Sequence, residues 1–360
     1  MHQEFNKKNI QIEKNKNPLP KPGPEVNLGF GKYFTDHIFT AKFQRSKGWH
    51  DYQIKPYSKL SLEPAACVLH YGQALFEGLK AFRQANGKIA IFRPEFNAKR
   101  MNDGCERLDM SKIPTELFVE SIKTLIDLDR DWVPKTPGAS LYIRPTMVGS
   151  EGFLGVRPSD EYLFFVILSP VGSYYSGGNK QVKIWVETEE TRAAPGGLGA
   201  IKAAANYASS LHASAKQKQN GYDQVLWLDA VTKDQVEEVG TMNVFFVIKN
   251  EIVTPALNGS ILPGGIRECT LKLLKDWNLP IVERKITMTE LVTAYKKGEF
   301  LEMFGTGTAA VIAPVGELQY KDTKIILPPI ENSLSNRLFK EFTDIQYGII
   351  PDRYNWLSFI

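Results

Sequence analysis

The chain has 360 residues, 43% of them hydrophobic and 23% charged, with a formal net charge of +4. That length exceeds one ordinary core, so two domains are expected, and the composition is that of a globular protein. A charge this small, with no basic block interleaved with aromatics, excludes nucleic acid as the expected partner.

The three cysteines, Cys67, Cys105 and Cys269, form no Cys-x-x-Cys pair, and the five histidines (His2, His37, His50, His70, His212) are scattered. No metal site is expected, and an odd, sparse cysteine count suits a reducing compartment, the cytoplasm. No apolar run follows Met1–Lys8, and no later run is long enough for a bilayer, so neither a secretory signal nor a membrane partner is expected. Residues 1–24 are rich in Lys, Asn and Pro and are expected to form a loose arm; Glu4 and Glu13 argue against a transit peptide.

Strand and helix signals mix from about Leu28 to Leu168. Ile89–Phe92 reads as a short strand closed by Arg93-Pro94, and Pro94 suits the first turn of a helix running toward Arg107. Phe118, Ile122, Leu125 and Ile126 recur at helical spacing, which predicts a helix from Pro114 to about Leu128. Strands follow at Leu141–Val148 and Tyr162–Leu168. Ser169–Gly178 is dense in turn formers and marks a linker, placed at 171–180. Beyond it come a strand at Val182–Val186 and a helix presenting Ala204, Tyr207, Ala208 and Leu211 on one face. Val225–Leu228 and Val244–Ile248 are continuous apolar runs, expected as strands buried on both faces. Helices are expected near 266–276, 288–297 and 333–346. The fold class is mixed α/β, in two domains, with a cleft at the linker.

Between these elements lies Ala194–Ser209, where a loop with three glycines delivers Lys202 among alanines. Most other lysines have charged or polar neighbours. A lysine taken out of water loses proton affinity, and a neutral amine can attack a carbonyl, which is what a Schiff-base enzyme needs. A P-loop is excluded, because Ile201 precedes the lysine and Ala203 follows it; a dinucleotide fingerprint needs glycine where Lys202 stands. A plain turn followed by a surface lysine remains open on the local string alone. Glu237 and Glu238 are adjacent carboxylates in an extended segment, so one can be solvated while the other enters a site. Leu262–Arg267 and Phe304–Ala310 put small residues where backbone N–H groups can meet an anion, the first at a helix N-terminus.

Taken together, Phe30–His37, Leu69–Gly78, Leu141–Pro145, the Lys202 loop, Glu238–Asn243 and Leu262–Gly264 resemble a branched-chain-amino-acid aminotransferase, of the fold type IV group of pyridoxal-phosphate enzymes. The matching strings run in family order over about four-fifths of the chain. The resemblance implies a small N-terminal domain at 25–170, a large domain at 181–360 that binds pyridoxal 5'-phosphate, and an active site in the interdomain cleft. It implies transamination of leucine, isoleucine and valine with 2-oxoglutarate, by ping-pong kinetics, in a homodimer. Lys202 would hold the cofactor and move the substrate proton. Glu238 would meet the pyridine nitrogen and Tyr207 the phenolic oxygen. Arg100, Arg192, Thr241, Ile266 and Thr308 would complete the cofactor site, most of them at its phosphate. Phe30, Tyr71, Phe76, Tyr142 and Tyr174 would line the pocket for a branched side chain, with Val156 supplied by the partner subunit. The substrate carboxylate would meet the backbone near Thr308-Ala309, helped by Tyr71 and Arg144, and Arg144 would also serve the acidic second substrate. Where some animal members carry a Cys-x-x-Cys switch this chain has Ala310 and Ala313, so no thiol regulation is expected there. A D-amino-acid aminotransferase, an aminodeoxychorismate lyase, or a phosphate-binding module without catalysis are the competing readings.

Overall fold

The structure, a computed structural model, describes residues 5–23, 25–172 and 180–360. The chain divides into two compact units, Met1–Ser176 with Ile201–Ala204 and Asp344–Ile360, and Gly177–Ala200 with Ala205–Thr343. The units are therefore not two consecutive stretches. The C-terminal tail belongs to the first because strand Leu357–Phe359 pairs antiparallel with Ile89–Phe92. Ile201–Ala204, which carries Lys202, belongs there too.

The first unit holds a nine-stranded sheet in the order Gln11–Ile12, Gly48–Pro56, His37–Gln44, Glu161–Val171, Ser140–Gly149, Leu79–Arg83, Ile89–Phe92, Leu357–Phe359, with Ala74–Phe76 beside Ser140–Gly149. Helix Pro94–Arg107 begins on the expected proline, and helix Thr115–Leu128 buries Phe118, Ile122, Leu125 and Ile126 completely, as its 3.6-residue spacing requires. The segment expected to be a loose arm is docked instead. Gln11–Ile12 adds a parallel strand to Gln53–Ile54, Phe5 is buried against Tyr52, and the Asn15 and Leu19 N–H groups donate to His37 Nε2 and Asp36. Both strand residues are exposed, so the pairing rests on backbone hydrogen bonding to the Gln53–Ile54 edge.

The second unit is built on another nine-stranded sheet, ordered Val236–Val239, Gln224–Leu228, Val182–Glu187, Val311–Tyr320, Phe300–Gly307, Asn243–Ile248, Glu251–Pro255, Ile281–Arg284, with Thr323–Ile326 off Val311–Tyr320. Val236–Val239 ends the order, yet the short turn Gly240–Met242 joins it directly to Asn243–Ile248, and Val239 bridges Met242. The sheet must therefore curl until the two meet. The Val225–Leu228 run is wholly buried, as its unbroken apolar character requires, but in the Val244–Ile248 run only Val244–Phe246 are, and Val247 and Ile248 are half-buried. Helices Gly265–Asp276, Met288–Lys296 and Leu334–Gln346 fall where the sequence places them.

Two expectations need correction. The predicted linker begins too early: Ser169–Val171 are strand residues paired with Ser140–Tyr142, and residues 173–179 lie outside those described. The helix after the Lys202 loop is not continuous. Ala204–Ala208 stops at Ser209-Ser210, whose hydroxyls bond back to the Asn206 and Tyr207 carbonyls, before Leu211–Gln219 resumes. Its buried side is Asn206, Ala213 and Gln217, while Leu211 is 67% exposed.

Candidate active site

Lys202 is fixed by its backbone. Its carbonyl accepts the Phe76 N–H at 3.2 Å, and Ala203 bridges Leu75, so a single antiparallel bridge ties this segment to strand Ala74–Phe76. The amine lies 4.7 Å from the Phe76 ring centroid. The residue as a whole keeps some solvent contact, but the surroundings of its amine set the proton affinity. Burial chiefly lowers that pKa from 10.5 to about 8; Arg100 and Arg144 push the same way, against Glu77 and Tyr142. At pH 7 about a tenth of the amine is then neutral, roughly 300-fold more than for an ordinary lysine.

The same Phe76 ring carries Arg144, whose Cζ is 4.6 Å from its centroid. Arg144 Nη2 donates to Tyr142 Oη at 2.9 Å, and Phe30 packs edge-on against Tyr142 at 4.7 Å. Arg144 Nε is buried with no acceptor among the described residues. This is an aromatic surface with one guanidinium donor still to satisfy, suited to a carboxylate. Gly78 makes room for it: a Cβ there would strike the Tyr142 hydroxyl and lie 3.0 Å from its Cζ. Below it, Arg100 is 7% exposed and paired with fully buried Glu77 through Nε–Oε1 and Nη2–Oε2 contacts of 2.8 and 2.7 Å, and Asn97 Nδ2 donates to Glu77 at 2.7 Å.

In the second unit, Glu238 is buried; its Oε1 accepts the Leu262 N–H at 2.7 Å and its Oε2 lies 3.1 Å from Arg192 Nε. That last contact is an ion pair without hydrogen-bond alignment. Arg192 Nη2 donates to the carbonyls of Ser260 at 2.6 Å and Gly199 at 3.1 Å. Asn243 Nδ2 donates to the Leu262 carbonyl at 2.8 Å, and Asn243 pairs in register with Thr306. The Glu238 loop, the turn before helix Gly265–Asp276 and the end of strand Phe300–Gly307 are thereby joined. That helix starts on Gly264, which supplies no side-chain cap, and Thr306 Oγ1 is buried and unpartnered among the described residues. Ile266 is buried in the first turn, and Thr308 and Ala309 are half-buried in the turn after the strand. Tyr207 is half-buried in its short helix, and Thr241 is exposed at the tip of the hairpin.

The expectation that one of the two glutamates is solvated is wrong. Glu237 is 2% exposed, because the loop at 258–262 covers the outer face of its strand and supplies Ser260 Oγ and Asn258 Nδ2 to its carboxylate. Tyr71 and Val156 fall on the surface, 41% and 87% exposed, where Tyr71 donates to the Leu154 carbonyl. Tyr174 lies outside the described residues. Sequence reasoning gave no role to Glu77 and passed over Lys80, a second lysine that burial brings down to about 8, paired across strands with Tyr142. A partial signal was available: Lys80 stands between Leu79 and Ala81, although Glu77 and Arg83 lie three residues away on either side, closer than any charge to Lys202.

With this geometry in place, the comparisons with known proteins are specific. Residues 74–318 match the family described as amino-transferase class IV. The chain belongs to that family. It is 48% identical over 349 residues to branched-chain-amino-acid transaminase 1 of Bacillus subtilis, covering 96% of this chain and 98% of the relative. The branched-chain-amino-acid aminotransferase of Mycolicibacterium smegmatis is 44% identical, with 92% of each chain covered. Among solved structures, branched-chain aminotransferases of Escherichia coli and Thermobaculum terrenum, the second in its PLP form, superpose with TM-scores of 0.70 and 0.69. Each is 23% identical and spans 90% of this chain and 98% of its own, which establishes the shared fold.

Proposed function

We propose that this protein is a pyridoxal-phosphate-dependent branched-chain-amino-acid aminotransferase, moving the amino group of leucine, isoleucine or valine to 2-oxoglutarate and releasing the branched 2-oxo acid and L-glutamate. The observation that carries the reading is Lys202, an amine whose proton affinity is lowered to about 8, seated on Phe76 beside the Tyr142–Arg144 pair. The names of the relatives support the substrate class. The residues present also fit the cofactor: a helix N-terminus that Gly264 leaves without a side-chain cap, and a Thr306 hydroxyl buried and unpartnered among the described residues, suit its phosphate, and a buried carboxylate held by Arg192 suits its ring nitrogen.

When bound, pyridoxal phosphate supplies a sink for the electrons left on the substrate Cα. Lys202 Nζ would hold the cofactor and serve as the base for the substrate Cα proton; a pKa near 8 leaves enough neutral amine at pH 7 for that role. Glu238 would keep a proton on the cofactor's ring nitrogen, as an anion supported by Arg192 and the Leu262 N–H. Tyr207 would donate to its phenolic oxygen. Ile266, Thr308 and Thr241 would hold its phosphate end, with Arg100 adding positive charge. Phe30, Phe76, Tyr71 and Tyr142 would line the space around an aliphatic side chain, and Arg144 would receive the acidic side chain of the second substrate. The substrate α-carboxylate meets the backbone at Thr308-Ala309.

The reading extends to a cytoplasmic homodimer. Leu69, Tyr71, Phe153, Leu154 and Val156 form an exposed apolar group on one loop and helix, an area that a second copy would cover, bringing Val156 to the other site. All three cysteines are free and buried, and no described helix is long and apolar enough to cross a membrane. The test is glutamate formation from leucine and 2-oxoglutarate by wild type and Lys202→Ala, with sedimentation run alongside. Activity lost in the variant together with the visible cofactor band supports the assignment. Bound cofactor without activity on leucine, isoleucine or valine moves the function to a D-amino-acid aminotransferase or a lyase.

A further inference from the structure

We propose that Glu237 is a positioning residue that sets the Glu238 carboxylate and the Arg192 guanidinium through Ser260, and thereby how firmly the cofactor's ring nitrogen is held protonated, without itself touching the cofactor. The proposal rests on the reading of Glu238 given above.

Glu237 has no cation beside it among the described ion pairs, and one of its oxygens, Oε2, is buried and unpartnered among the described residues. Its other oxygen, Oε1, takes the Ser260 hydroxyl and, at 3.2 Å, Asn258 Nδ2. Asn258 Oδ1 in turn accepts the Ser260 N–H at 3.0 Å. A buried carboxylate half satisfied by neutral donors is a costly arrangement, and stability alone does not recommend it. What it does is fix Ser260 in place. The Ser260 carbonyl is the closer of the two acceptors of Arg192 Nη2, at 2.6 Å. Its backbone also lies against Gly199, where a Cβ would stand 2.5 Å from the Ser260 carbonyl carbon. Two residues on, Leu262 donates its N–H to Glu238 Oε1 at 2.7 Å. Arg192 on one oxygen of Glu238 and Leu262 on the other are therefore both held through the short loop that Glu237 anchors. Neighbouring residues of one strand divide the work: Glu238 faces the site, while Glu237, on the opposite face, holds the loop that aims it.

The test uses the holoenzyme reconstituted with pyridoxal phosphate labelled with ¹⁵N at the ring, in wild type, Glu237→Ala, Glu237→Gln and Glu238→Gln. The readouts are the ring ¹⁵N shift, kcat and KM. Glu237→Ala is expected to move the ring resonance part of the way toward that of Glu238→Gln and to lower kcat about ten-fold, the scale of outer partners of functional groups, with KM for leucine within two-fold. Glu237→Gln keeps the Oε1 acceptor and is expected to restore both. If Glu238→Gln moves the resonance and Glu237→Ala leaves it at the wild-type position, the positioning role is refuted and the reading of Glu238 stands. If Glu238→Gln leaves it unmoved, that reading falls and the proposal with it. Should Glu237→Ala fail to load cofactor, Ser260→Ala cuts the same link by a single hydroxyl and is judged by the same outcomes.

Discussion

The depressed proton affinity of Lys202 has a consequence for folding that can be measured apart from catalysis. In the cofactor-free protein the amine is charged at pH 7 both folded and unfolded, but only the folded state holds that charge among Phe76, Arg100 and Arg144. A fall from 10.5 to about 8 corresponds to a cost of roughly 3 kcal/mol. The sign follows from proton binding. Below pH 8 both states are protonated and the cost is fully present; between about 8 and 10.5 the unfolded chain binds more protons, so stability rises with pH and the cost is relieved. Lys202→Met keeps a long apolar side chain on Phe76 and removes the charge. The cofactor-free variant should therefore be more stable than wild type at pH 7 by about 2–3 kcal/mol, a rise of several degrees in the thermal midpoint, while transaminating nothing. The gain should shrink steadily above pH 8 and nearly vanish by pH 10.5. Thermal unfolding of both proteins across that range is the assay. A variant no more stable than wild type, or one whose advantage stays constant to pH 10.5, would refute the claim that Lys202 is held against its charge.

Glu77→Gln should strand the Arg100 guanidinium, 7% exposed, without its carboxylate and cost about 3 kcal/mol in denaturant unfolding. Gly199→Ala drives a Cβ into the Ser260 backbone; it should cost about 1–3 kcal/mol and raise the dissociation constant for pyridoxal phosphate, read by fluorescence titration, at least several-fold. Tyr142→Phe removes the acceptor of Arg144 Nη2, so KM for 2-oxoglutarate should rise about ten-fold, the worth of a charge-assisted hydrogen bond, with KM for leucine changing less.

Periodicity and chemistry that is local in sequence were legible before the structure. Phe118, Ile122, Leu125 and Ile126 located their helix, Pro94 located a helix start, and the alanines around Lys202 marked it out from most other lysines. What was not legible depends on which distant segment covers a residue. The strand Gln11–Ile12 exists because Gln53–Ile54 offers it an edge, and nothing within residues 1–24 announces that edge. The C-terminal strand joins the first unit for the same reason, through Ile89–Phe92. The split of the helix after Lys202 depends on two serine hydroxyls competing for backbone carbonyls, a small local preference that helical periodicity outvoted in the reading.

The two glutamates show where such reasoning stops. Alternation along an extended segment correctly puts Glu237 and Glu238 on opposite faces, but the step from opposite faces to one solvated face assumes a strand with only one covered side. Here both sides are covered, and the two carboxylates are met differently: Glu238 by a guanidinium and a backbone N–H, Glu237 on one oxygen only, by a hydroxyl and an amide, all drawn from segments 20 or more residues away in sequence. A carboxylate kept dry beside neutral donors costs more than a surface glutamate would, so its burial calls for a cause other than stability. The cause the geometry offers is the loop at 258–262, which reaches Glu238 from one end and Arg192 from the middle. The charge that serves the cofactor is thus aimed by a neighbouring side chain that does not touch it, and only the folded chain reveals which glutamate is which.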